Sequence, residues 1–254
     1  MTVFARSILR TGFATALALA AGFANAAEIK VLSTMALRPV LEELLPQFER
    51  AHGHRVVIDY DTANIMANRV RAGAAVDLAI VTPALLAELA VQNRVVAGSN
   101  VTLARSGVGI VVRKGALKPD ISTVDTLKRA LLEAKSIAYT TTGQSGTYFA
   151  GLIERLGIAA EVKAKARTPA GGSTGELVAK GEAEMAVQQI PELLATPGVD
   201  YVGPLPPSVQ NMTPFAAGVT TVAKEPAAAR ALIEFLQAPA AARVMREKGL
   251  EPGA

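Results

Sequence analysis

The stretch IKVLSTMALRPVLEELLPQFERAHGHRVVIDYDTANIMANRVRAGAAVDLAIV, residues 29–81, switches repeatedly between two periods. Residues 29–32 form a short β-type run. Residues 39–48 then place Val40, Leu41, Leu44, Leu45 and Phe48 on one helical face. Residues 55–60 predict a second strand, 65–71 a helix, 76–81 a third strand and 85–93 a further helix. Strand and helix in alternation argue for an α/β fold with a parallel or mixed sheet covered by helices. The strand runs are continuously apolar, as strands buried on both faces should be.

Outward from this stretch, the pattern restarts after Arg105. Strands are predicted at 108–112, 137–139, near 162–166, at 185–189 and at 199–202. Helices are predicted at 126–134, 146–156 and 175–180. The tail carries a strand-like run at 215–219 and helices over 226–236 and 239–248, read as returning to the first half. The expected organisation is a first lobe of 27–104 with 215–254, a second lobe of 105–214, and a ligand cleft between them. In the other direction, Arg6 and Arg10 precede the short apolar run 12–21, and Ala24-Asn25-Ala26 gives the small-x-small pattern of signal cleavage. Residues 1–26 are expected to be a signal peptide removed before Ala27, leaving a soluble periplasmic product.

Composition narrows the chemistry. The chain has no cysteine, which excludes thiolate nucleophiles, disulfides and Cys-ligated metals. Its two histidines lie in Ala51-His52-Gly53-His54, read as a helix C-terminal turn rather than a metal site. The formal net charge of +4 includes Arg6 and Arg10, so the mature chain is only weakly basic. No basic stripe with interleaved aromatics argues for nucleic acid. Gly107-Val108-Gly109 lacks the third glycine of a dinucleotide loop, and Gly143-Gln144-Ser145-Gly146 lacks the spacing of a nucleophile elbow. Neither a metal nor a cofactor is expected.

Four strand-to-helix loops are rich in hydroxyls and glycine. They hold Ser33 and Thr34; Thr62, Ala63 and Asn64; the run 140–147 with Ser145 and Gly146; and the run 171–175 with Ser173 and Thr174. In open α/β sheets ligands sit outside the carboxyl ends of strands, where helix N-termini offer free N–H groups to an anion. Taken singly, each loop is equally a helix cap, and Ser173 with Glu176 fits a capping box. Together, split between two lobes, they could converge on one small anion. The 145–146 loop is expected at the surface, so an aspartate there should abolish binding and spare the fold.

These segments resemble the periplasmic molybdate-binding protein family. The resemblance rests on the Ser33-Thr34 loop, the helix ending Phe48-Glu49-Arg50-Ala51-His52-Gly53, and the loop 61–64. Two more segments carry it: 71–78, like that family's Gly-Ala-Pro-Ala-Asp, and 178–184, like its Gly-Glu-Ala-Asp. It covers nearly the whole mature chain and implies a type II periplasmic binding fold, an ABC importer as membrane partner and a monomeric state. It also implies oxyanion contacts at Ser33 or Thr34, Thr62 or Ala63, Ser145 or Gly146, and Ser173 or Thr174. The family's last contact, a tyrosine, falls on Gln189, and its Gly-Ser-Ser loop has become Asp61-Thr62-Ala63. These departures shift the expected ligand from a tetrahedral oxyanion toward a polycarboxylate. The second half is similar to a divergent branch that includes proteins resembling aconitate isomerase. On that alternative, a cofactor-free isomerase would draw its acid/base group from Asp61, Tyr60, Tyr148 or Glu192. Arg38 and Arg105 are candidate partners for a carboxylate; against that stands their reading as solvated surface charges, which is preferred for Arg38.

Overall fold

The computed structural model describes residues 26–253; the leader expected over 1–26 lies outside them, Ala26 apart. The chain begins β1 (Glu28–Thr34), α1 (Arg38–His52), β2 (Arg55–Asp61), α2 (Ala63–Arg71), β3 (Leu78–Val81), α3 (Pro83–Val91) and β4 (Val101–Ser106). It continues β5 (Val108–Arg113), α4 (Val124–Glu133), β6 (Ile137–Ala138), α5 (Gln144–Arg155), α6 (Ala159–Ala164), β7 (Ala166–Arg167), α7 (Thr174–Ala179), β8 (Met185–Gln189), α8 (Ile190–Leu194) and β9 (Val199–Pro204). It closes β10 (Thr213–Val219), α9 (Pro226–Gln237), α10 (Pro239–Glu247) and β11 (Glu251–Pro252).

Among the described residues two mixed sheets form, ordered β11-β4-β10-β3-β1-β2 and β7-β6-β8-β5-β9. The chain therefore crosses between sheets twice, at 106–108 and at 204–213. Each sheet is flanked by helices over its own apolar core. Phe48, Leu37, Leu41 and Ile80 lie in the first, and Phe149, Leu127, Ile110 and Val187 in the second.

Local chemistry explains the element ends. Gly53, at φ 69°, closes α1 in the left-handed conformation. His52 stacks on Phe48 with centroids 4.5 Å apart, and His54 Nδ1 accepts from Ala27 N at 3.3 Å, so the pair serves packing. Thr62 and Thr82 cap α2 and α3 through their side-chain oxygens. One expected element differs. The strand near 162–166 is instead α6 followed by a two-residue strand. Ile158 and Val162, four apart, both face the second core, which is the period of a helix.

Register positions the site. In the parallel pair β1–β2, Thr34 stands opposite Asp61, so the loops after both strands leave the same sheet edge together. In the second sheet β6 and β8 are also parallel, with Ala138 opposite Ala186. The loop after β6 and the turn from β8 into α8 therefore face the first pair.

Candidate functional site

Where these edges meet, Thr34, Thr62, Ala63, Thr140, Ser145, Gln188, Gln189 and Glu192 surround a cavity of only about 20 Å³, together with Met35, Gly143, Gln144 and Phe215. That is room for one or two waters; the lobes are drawn together over it. The contacts that hold them cross the cleft. Asn64 Nδ2 donates to Thr142 O at 2.6 Å, and the hydroxyls of Thr62 and Thr142 lie 2.9 Å apart. Two helix N-termini point inward, α2 capped by Thr62 and α5 beginning after Gly143. Their free N–H groups and positive dipole ends favour an anion.

Thr140 is the clearest functional signal. It is 1% exposed, and its Oγ1 has no hydrogen-bond partner among the described residues. Buried hydroxyls are normally satisfied; the other one left without a partner among the described residues is that of Tyr60, which does not line this cavity. Past Met35 and Glu192 a second cavity of about 290 Å³ opens, lined by Arg38, Glu42, Ser173, Glu176 and Thr196 among others.

Glu192 stands in the wall of both cavities. It retains a little accessible surface, turned toward them, and accepts a hydrogen bond from Gln188 Nε2. Removal from bulk water pushes its carboxyl up to about 8; Gln188 opposes that rise, and nearby Asp61 adds to it. The acid is thus largely protonated at neutral pH.

The profile of the bacterial extracellular solute-binding protein family matches residues 29–251. The chain belongs to that family. This solute-binding protein is 34% identical over 230 residues to an aconitate isomerase of Pseudomonas sp, spanning 88% of this chain and 87% of that one. It is 26% identical over 251 residues to the molybdate-binding protein ModA of Azotobacter vinelandii, spanning 96% and 97%. The solved periplasmic molybdate-binding protein of Azotobacter vinelandii matches with a TM-score of 0.77 at 18% identity, over 89% of this chain and all of that one. That likeness gives the fold, the two-lobed type II arrangement of mixed sheets flanked by helices.

In the solute-binding protein the expected residues divide. Thr34, Thr62, Ala63, Ser145 and Gln189 line the small cavity. Gln189 also ties the two chain crossings: in the amide orientation that satisfies both ends, its nitrogen donates to Ser106 Oγ at 2.9 Å and its oxygen accepts from Thr213 Oγ1 at 3.1 Å. Ser33 is fully buried with its hydroxyl donating to Thr34 O at 3.1 Å, beneath the cavity rather than in its lining. Asn64 acts across the cleft on Thr142. Ser173 caps α7 through Glu176 N at 3.4 Å and lines the larger cavity, while Thr174 is consumed by Gln188 Oε1 at 2.8 Å.

The surface expectation for residues 145–146 is corrected. Ser145 is 2% exposed, and a Cβ on Gly146 would collide with the Thr140 carbonyl oxygen, so substitution there also attacks the fold. Arg105 pairs with Glu251 at 3.5 Å on the exposed edge β4–β11, outside both cavities. Arg38 reaches the larger cavity, engaged with Glu42 at 2.7 Å and over the Tyr60 ring at 5.7 Å. Of the acid/base candidates only Glu192 lines the cavity. Tyr60 packs on the first core, and Tyr148 donates to Val209 O at 2.7 Å. Sequence reasoning missed Thr140, Gln188 and Phe215 as lining. Thr140 lay within a quoted hydroxyl loop, but no local signal marks the other two.

Proposed function

We propose that this solute-binding protein is exported to the periplasm after loss of residues 1–26, captures a small polycarboxylate between its lobes, and delivers it to an ABC importer. The observation that carries the reading is the unpartnered buried Thr140 hydroxyl, in a cavity walled by neutral hydroxyls, amides and two helix N-termini. Such a lining replaces the water of an anion without a counter-charge. The larger cavity beyond Glu192 gives room for a ligand longer than a tetrahedral oxyanion, whose distant carboxylate would take Arg38 from its pairing with Glu42. Citrate or trans-aconitate is therefore expected to raise the melting temperature more than molybdate or tungstate. Ligand at a hundredfold excess over Kd stabilises by about 2.7 kcal/mol, which a thermal-shift series resolves. Stabilisation by molybdate alone would assign the site to an oxyanion.

A second reading, a cofactor-free isomerase of a tricarboxylate, is favoured by the aconitate isomerase relative and by Glu192 at the cavity wall. A carboxyl titrating near 8 is suited to take a proton from one carbon and return it to another. Incubating the protein with trans-aconitate in deuterated water distinguishes the readings. Capture alone gives neither cis-aconitate nor exchange at the methylene; either product makes the protein an enzyme.

A further inference from the structure

We propose that Glu192 carries a proton whenever the site holds its anion, so that at alkaline pH, where the free carboxyl is ionised, the anion is captured together with a proton. The inference rests on the anion-capture reading. Its basis is where the carboxyl stands: in the wall of a cavity whose remaining polar lining is hydroxyl, amide and helix N-terminus. An ionised Glu192 would face the anion with no cation in the small cavity's lining to separate them. Like charges at contact in a site nearly stripped of water exclude one another. A protonated Glu192 is instead a donor, with one oxygen accepting from Gln188 and the other hydroxyl free to meet the ligand.

The neighbouring charges leave that balance intact. On α1, Arg38 is paired with Glu42 at 2.7 Å, and on α7 Glu176 pairs with Lys180 at 3.5 Å. Asp61, at the end of β2, adds negative potential that favours the proton. Lys248, after α10, is held by Glu43 at 2.8 Å. On β9, Asp200 accepts from Gly115 N at 2.8 Å, toward the opposite end of the strand pair, where Arg113 of β5 also lies. Tyr201 of β9 is kept protonated by burial. Among the described residues named here the carboxyl thus has acidic neighbours, and the cations, Arg113 at the far end apart, are each paired with another carboxylate; its rise to about 8 agrees with the geometry.

The test is calorimetric titration of the whole mature protein and of Glu192→Gln with trans-aconitate and with molybdate, from about pH 7 to about pH 10, where both probes keep a constant charge. Above the carboxyl's titration, wild-type affinity is expected to fall about tenfold per pH unit for one linked proton. The isosteric Glu192→Gln is expected to bind with a flat profile. Titrations of the wild type in buffers of unlike ionisation enthalpy should show close to one proton taken up per anion at the alkaline end, a readout that needs no variant. A flat wild-type profile without proton uptake overturns the proposal and leaves anion capture standing. A wild type that binds neither probe at any pH defeats the anion reading, and this inference with it.

Discussion

Gly171→Leu is expected to weaken anion binding about a hundredfold while leaving the melting temperature of the unliganded protein close to that of the parent. Gly171 lies in the loop before α7, in the second lobe, and faces Asp61 and Ile65 of the first. A Cβ at that position would collide with Asp61 Oδ1 and come within 3.0 Å of Ile65 Cδ1. Asp61 has little freedom to yield, because the same oxygen accepts from Thr62 N at 2.7 Å at the head of α2. Gly171 and its two neighbours belong to different lobes, so the larger side chain is expected to penalise their contact across the cleft and to spare each separate core. Overpacking penalties reach roughly 3 kcal/mol, and that energy is about a hundredfold in affinity. Titration calorimetry of the variant with whichever anion binds the parent reads the loss directly. Parent-like affinity would mean that capture does not need the two loops in contact.

Asp77→Ala is expected to lower stability by about 3–5 kcal/mol, measured by denaturant unfolding. Asp77 is 4% exposed and sits just before β3. Its Oδ2 accepts from Lys30 N at 2.8 Å on β1; its Oδ1 accepts from Lys224 N at 2.7 Å and Glu225 N at 3.0 Å ahead of α9. One carboxylate therefore fastens the returning tail to the strands laid down first. Removing it leaves three backbone donors without acceptors, and each unsatisfied buried donor costs about 1–3 kcal/mol. Asp77→Asn keeps one acceptor oxygen and should recover part of the loss. An alanine variant within about 1 kcal/mol of the parent would show that water takes over these donors.

The alternation in residues 29–81 made the first lobe readable, because helix and strand periods differ and each run was long enough to show one of them. Where a run was short, the reading failed. Residues 162–166 hold one buried valine among alanines and lysines, and only packing of Ile158 and Val162 against the second core selects a helix there. The candidate site was half legible for a similar reason. Thr34, Thr62 and Ser145 stand at strand-to-helix junctions, at the end of β1, at the cap of α2 and in the first turn of α5, a local pattern that sequence displays. Whether a hydroxyl in such a loop faces ligand or is spent on its neighbours is decided across the molecule. Thr174 satisfies Gln188 and Asn64 reaches over to Thr142, whereas Thr140, like Tyr60 of the described residues, keeps a buried hydroxyl without a partner. Gln188 enters the site from the end of the buried strand β8, which carries no motif, and Glu192, one of four acid/base candidates that the sequence did not tell apart, enters from the first turn of α8.

Anion capture between the lobes is tested most directly by a crystal structure of the mature protein with trans-aconitate bound. The account predicts a carboxylate oxygen within hydrogen-bond distance of Thr140 Oγ1, about 2.7 Å, with the rest of the ligand extending past Glu192 toward Arg38. Ligand density elsewhere on the protein, with the Thr140 hydroxyl still unpartnered, would contradict it.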